Sequence, residues 1–487
     1  MAVLEGIEPA RVFHFFEEIC GIPHGSGNIG QISNYLKKFA ADRGLYCIQD
    51  EVKNIIIIKE ATAGYEKEEP FILQGHMDMV TVKTPDCDID MEKEPLRLRR
   101  EGNTVYAEGT SLGGDDGIAV AYSLALLDAE DIPHPRLEVV LTVNEETGMD
   151  GAMAIDLSML QGRRMLNLDS EEEGILLTSC AGGARVDVHI PVTYENLEVA
   201  EKWISMELTV KGLAGGHSGT EIIREGGNAN CLLGRALYEI GEKIDLRISA
   251  MEGGLADNAI PREARAIVLV KEAEQGILQK TVDIIQGKIQ TELGTKDPEA
   301  VLELVPGSID GFAKVLSNTS AKTALSCLLA LPNGVQAMSA DVEGLVETSL
   351  NLGIMRLNEQ ELVLSYAVRS SVNSAKEALC EKMQAIAYLA GAKVDIRSAY
   401  PGWAYSRESK LREKMVRIYE KMYGKKPEIQ AIHAGLECGI LADKIKGLDC
   451  ISLGPDMHNV HTTEESLDIA SVESVWKYLL AVLADKE

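Results

Sequence analysis

Five short stretches of this 487-residue chain combine histidines and carboxylates in ways that suit metal chemistry. They are His76-Met77-Asp78, Asp115-Asp116 behind Gly113-Gly114, Glu145-Glu146, Asn167-Leu168-Asp169 and Met457-His458-Asn459-Val460-His461. Histidine is the commonest metal ligand, and residues two apart on extended backbone share a face. Asp78 can therefore hold the far ring nitrogen of His76 and fix its tautomer. Gly113 and Gly114 permit close backbone approach. An aspartate at 115 or 116, just before a helix, can cap that helix or offer both its oxygens to two metals. Glu145 and Glu146 point apart on extended backbone, so one can ligate while the other takes a proton from water. Asp169 adds a carboxylate, and one of His458 and His461 is enough to add a second imidazole. A mixed nitrogen and oxygen donor set suits Zn²⁺, and two metals sharing one carboxylate suit amide hydrolysis.

Each of the first four stretches lies beside a predicted element. Apolar runs at 71–73, 137–143 and 165–168 read as buried strands, and the small-residue run 117–127 reads as a helix. Residues 9–20 carry Val12, Phe13, Phe16 and Ile19 on one helical face, and Ile32, Tyr35, Leu36 and Phe39 repeat the pattern. Buried strands alternating with helices imply an α/β sandwich. From about residue 186 the texture changes. Residues 203–211 and 350–368 alternate like half-exposed strands, the second as a hairpin turning near 358–359, with helical stretches at 229–240, 279–293 and 375–389. That pattern predicts a separate α+β domain. Helical periodicity returns at 410–423 and 468–483. The expected organisation is a catalytic domain of residues 1–186 and 401–487, interrupted by an inserted domain of residues 187–400.

Gly25-Ser26-Gly27-Asn28-Ile29-Gly30 fits the dinucleotide pattern G-x-G-x-x-G, with Asp50 at the acidic spacing. A pyrophosphate site needs a strand before the glycines, and here a helix precedes them, so the segment reads as a helix–helix loop.

Composition narrows the function further. A formal charge of −28 would repel a phosphate backbone, and aromatics at 5% leave few rings for stacking bases, so no nucleic-acid partner is expected. Nine scattered cysteines without a C-x-x-C pair read as reduced thiols of a cytoplasmic protein. The first ten residues lack the regions of a signal peptide, and no run of eighteen apolar residues occurs, so no membrane association is expected.

With the five stretches in view, the chain resembles the di-zinc metallopeptidases that include aminoacylase, carboxypeptidase G and carnosinase. H-M-D at 76–78, G-G-D-D at 113–116, E-E at 145–146, N-L-D-S at 167–170 and H-x-x-E-E at 461–465 follow in the family's order. Ile19-Cys20-Gly21-Ile22-Pro23-His24 and His433-Ala434-Gly435-Leu436-Glu437-Cys438-Gly439 look like the bacterial aminoacyl-histidine dipeptidases. The resemblance implies a zinc-exopeptidase-type catalytic sandwich with an inserted lid domain that also mediates a homodimer. It implies two Zn²⁺ per chain, with Co²⁺ or Mn²⁺ as substitutes. Asp115 would bridge them, with His76 and Asp169 on one metal and Glu146 and His461 on the other. Asp78 would orient His76, and Glu145 would be the general base. His217, Asn258, Arg369 and Gly435 would bind substrate, His217 from the partner subunit. Arg369 suits that role physically, because a guanidinium clamps a terminal carboxylate through two hydrogen bonds. The implied activity is hydrolysis of dipeptides, Xaa-His dipeptides such as β-alanyl-histidine among them. Tripeptide aminopeptidase, carboxypeptidase and N-acyl-amino-acid deacylase activities are the alternatives within the family.

Overall fold

The computed structural model describes residues 3–197, 202–307 and 314–486. The chain divides into two units: one comprises Met1–Cys180, Trp403–Ala431 and Leu436–Glu487, the other Ala181–Gly402 and Ile432–Gly435.

In the first unit an eight-stranded sheet runs in the spatial order Tyr46–Gln49, Ile55–Lys59, Leu137–Thr142, Phe71–His76, Arg164–Asn167, Asp449–Ser452, Ile175–Cys180, Glu428–Ile432. Its four middle strands are mutually parallel. Both faces of a parallel sheet are covered, and accordingly every residue of Phe71–His76, Leu137–Thr142 and Arg164–Asn167 is buried. The helix Ala10–Cys20 buries Val12, Phe13, Phe16 and Ile19, together with Phe15 and Cys20. It packs with Gly114–Asp128, whose apolar residues are buried all round. Parallel strands end on the same side, so the loops after His76, Thr142 and Asn167 come together at one edge, where open α/β sheets place their ligands. Gly21 to Ile29 connects two helices, as the sequence indicates, and holds no dinucleotide turn. A feature not foreseen is a small sheet in which Leu98–Glu101 and Thr104–Ala107 pair with Ser466–Asp468 and Met457–His458, anchoring the segment of the C-terminal histidines.

The second unit is built on a nine-stranded sheet whose pairings are all antiparallel. Trp203–Lys211 is one strand, and Val346–Leu357 with Glu361–Ser370 forms the hairpin. Helices Ala229–Gly241, Gln275–Leu293, Asn318–Ala330 and Asn373–Leu389 contribute buried faces to the same core. The chain enters this unit at Ala181, earlier than residue 187. Strand Gly182–Pro191 pairs with Glu361–Ser370 from Gly182 onward, and the small buried residues Gly182, Gly183 and Ala184 mask the alternation there. Ile432–Gly435 also belongs to this unit rather than to the C-terminal part of the first. Among the described residues no helix is long and apolar enough to cross a membrane, and all nine cysteines are free.

Candidate metal centre

The strand Phe71–His76 ends on His76, which is 1% exposed. Its Nε2 lies 3.1 Å from Asp115 Oδ1 and 3.6 Å from Asp169 Oδ1. His461 Nε2 lies 3.1 Å from the other oxygen of the same residue, Asp115 Oδ2, and 2.9 Å from Glu146 Oε1. One carboxylate therefore faces a different imidazole with each oxygen. Donor atoms of His76, Asp115 and Glu146 lie within 4.8 Å of one another, and so do those of His76, Asp116 and Asp169. Of the two C-terminal histidines, His461 joins the cluster; its φ of +63° and that of Asn459 at +52° mark the turn that swings it there.

The distal nitrogen of His76 is held differently from the expectation. Nδ1 sits 2.9 Å from the backbone carbonyl of Asp78 and 3.6 Å from its carboxylate Oδ1. The Asp78 carboxylate accepts instead from Ser26 Oγ at 2.7 Å and from the Glu145 amide at 3.1 Å. Asp78 thus fixes the His76 tautomer through its main chain, while its side chain ties together two loops of the site. The glycine-rich loop has a structural use here: besides Ser26, the Gly27 amide donates to Asn144 Oδ1 at 2.8 Å, just before the glutamate pair.

Beneath the ligands runs a buried polar network. Asn167 Nδ2 donates to Gln74 Oε1 at 2.6 Å, and Gln74 Nε2 and Thr142 Oγ1 both donate to Glu437 Oε2. Each of Gln74, Thr142 and Asn167 lies on a middle strand a few residues before a candidate ligand. Glu437 lies in the family-like segment 433–439, but nothing local to it points to Gln74, which it reaches across 363 residues.

Charge explains why these groups sit together. The ionic partners of Asp115, Asp169 and Glu146 among the described residues are the two histidines. Burial would lower His76, but the carboxylates of Asp115, Asp169 and Asp78 hold it well above the usual imidazole range. Hydrogen bonds to Asp115 and Glu146 raise His461 to about 11. Burial lifts Asp169 to about 6 against the pull of His76. Burial likewise lifts Glu145 well above the ordinary carboxylate range, with Asp169, Glu437 and Glu146 adding to it against His76. Asp116 Oδ2 accepts the His76 amide at 3.1 Å, while its buried Oδ1 has no partner. So many carboxylates around two imidazoles form a donor set that fits divalent cations.

The remaining expected residues lie in the second unit. His217 stands on the two-residue strand Gly216–His217, paired with Ala259–Ile260, and the Ser218 amide donates to the Asn258 carbonyl at 2.8 Å. His217 Nε2 is 3.4 Å from Arg369 Nη2. Arg369 is buried at the end of its strand. Its Nε has no hydrogen-bond partner, and no carboxylate pairs with it among the described residues. Burial lowers its pKa, against the opposing pull of Tyr400 and Asp257. His433, two residues before Gly435, is also buried, with Nε2 2.7 Å from Ser349 Oγ.

Comparison with known proteins bears on the whole chain. The family model described as Peptidase family M20/M25/M40 matches residues 72–485. The cytosol non-specific dipeptidase of Escherichia coli is 38% identical over 485 residues, which cover 100% of this chain and 99% of that protein. The crystal structure of the aminoacylhistidine dipeptidase of Vibrio alginolyticus matches with a TM-score of 0.92 at 36% identity, over 99% of this chain and 97% of that one. The aminopeptidase PepT of Bacillus cereus matches with a TM-score of 0.56 at 17% identity, over 98% of each chain, a likeness of fold alone.

Proposed function

This chain belongs to peptidase family M20/M25/M40, and from that premise we propose that it hydrolyses dipeptides, Xaa-His dipeptides among them, with two divalent cations held at the His76–Asp115–His461 cluster. The observation that carries the reading is the Asp115 carboxylate, whose two oxygens each lie 3.1 Å from a different histidine. That is the arrangement a bridging ligand requires. His76 and Asp169 complete one side, Glu146 and His461 the other. The nitrogen and oxygen donors suit zinc, with cobalt or manganese able to replace it. Asp116, engaged by the His76 amide, acts as a support.

When bound, two such cations supply Lewis acidity toward the scissile carbonyl and toward the attacking water. Glu145 accepts the proton of that water and returns it to the leaving amine. Asp78 and Ser26 keep His76 and the Glu145 loop in register. In the second unit, Arg369 receives the substrate's terminal carboxylate, and His217 donates to the carbonyl oxygen as charge develops on it. Asn258 and Gly435 are the other substrate-binding residues that the family resemblance implies.

A panel of dipeptides, dipeptide amides, tripeptides and N-acetylated amino acids tests the reading. Free dipeptides are expected to turn over fastest. Their amides should lose on the order of 2–5 kcal/mol in kcat/KM, because a buried guanidinium is then left without its anion. Arg369→Ala should narrow the gap between acid and amide. Preferential cleavage of tripeptides or acetylated amino acids would transfer the chain to another activity of the family.

The family resemblance also supports a cytoplasmic homodimer joined through the inserted unit, with His217 serving the partner's site. Sedimentation of the 52.9 kDa chain should then give twice that mass. A monomer that retains full dipeptidase activity would rule out catalysis in trans.

A further inference from the structure

Glu465 is 3% exposed, yet it neither belongs to the candidate ligands nor pairs with a cationic side chain among the described residues. Its carboxylate is instead enclosed by four consecutive main-chain amides. Oε2 accepts from Leu112 N at 2.9 Å and Gly113 N at 3.2 Å; Oε1 accepts from Gly114 N at 2.8 Å and Asp115 N at 3.4 Å. Successive amides converging on one anion form a nest, and hydrogen bonds to a charged acceptor are the strong ones.

The glycines are what allow the loop to wrap in this way. Gly113 has φ +69°, and a Cβ there would come 2.7 Å from Met79 Sδ. A Cβ on Gly114 would stand 3.2 Å from Met457 Sδ and 3.4 Å from Glu465 Oε1. Asp115 and Asp116 have non-helical backbone angles, so helical geometry does not fix where the Asp115 side chain points. Glu465 in turn sits four residues after His461, on the segment anchored by the pairing of Leu467 with Val105. One carboxylate thus joins the loop that carries Asp115 to the loop that carries His461.

We propose that Glu465 is a positioning residue that sets the Asp115 carboxylate against His461, and that it acts through the backbone of residues 112–115 rather than as a ligand. This rests on the reading of Asp115 and His461 as metal ligands. Glu465→Gln keeps the shape but turns one acceptor into a donor facing two N–H groups. Outer-sphere partners of this kind typically change metal affinity by roughly ten- to a hundredfold.

The test is calorimetric titration of the apo-protein with Co²⁺, followed also by the cobalt absorption spectrum, at a temperature well below unfolding. Wild type is expected to bind two equivalents. Glu465→Gln should bind the second at least about tenfold more weakly, with an altered spectrum. Tyr478→Phe, which removes the buried hydrogen bond from Tyr478 to the Met415 carbonyl, serves as a destabilised control expected to bind metal like wild type. If Glu465→Gln does not accumulate as folded protein, Glu465→Asp carries the same test with a smaller loss. Wild-type affinity and an unchanged spectrum in the Glu465 variant would overturn this proposal alone. A wild-type protein that binds no cobalt would overturn both it and the metal reading beneath it.

Discussion

Glu145→Gln is expected to lower dipeptide turnover by roughly a hundredfold or more while leaving metal content unchanged, since general-base catalysis is worth about that much. The argument starts from two neighbouring glutamates with different surroundings. Glu146 Oε1 lies 2.9 Å from His461 Nε2, inside the donor cluster. The Glu145 main chain is pinned to Asp78, and its carboxylate is absent from the ion pairs that the two histidines make. Burial, together with the nearby charges of Asp169, Glu437 and Glu146, raises its proton affinity, which is what a proton acceptor needs. Glu146→Ala should show the opposite phenotype, with metal lost first and activity falling as a consequence. Metal assays and turnover on both variants decide the matter. Loss of metal in Glu145→Gln with full metal in Glu146→Ala would exchange the two roles.

Metal removal is expected to have the largest effect: exhaustive chelation should abolish hydrolysis, and zinc, cobalt or manganese should restore it. Asp115, Asp169 and Glu146 meet only histidines as ionic partners among the described residues, and the buried Asp116 Oδ1 has no partner at all. Packing carboxylates this way is costly unless protons or cations neutralise them. Binding to the folded chain alone should also raise the thermal midpoint, by an amount that grows with the logarithm of the free metal concentration above Kd.

Much of this site is written locally in the sequence. His76, the Glu145–Glu146 pair and Asp169 all follow short, largely apolar runs, because parallel strands buried on both faces are mostly apolar and end together. Helix periodicity places Lys410–Tyr423 with its bounds, and the hairpin of Val346–Leu357 and Glu361–Ser370 turns where Asn358 and Glu359 suggest. Residues that act through the main chain or across long separations were harder to see. Glu437 meets Gln74 across 363 residues, and Glu465 meets Leu112 across 353; both stand in family-like segments, but no local pattern names their distant partners. Ser26 sits in a glycine-rich loop whose pattern suggests a phosphate cradle, while its hydroxyl serves Asp78. The return of Ile432–Gly435 to the second unit leaves no mark in composition, since four residues are too few to show one.

Stepwise addition of zinc to the apo-protein, with bound metal and hydrolysis of a free dipeptide measured on the same sample, tests the central claim most directly. If Asp115 bridges two cations, binding saturates near two equivalents per chain and turnover rises with occupancy to its maximum there. Full turnover in rigorously metal-free protein, or no zinc retained at saturation, would contradict it.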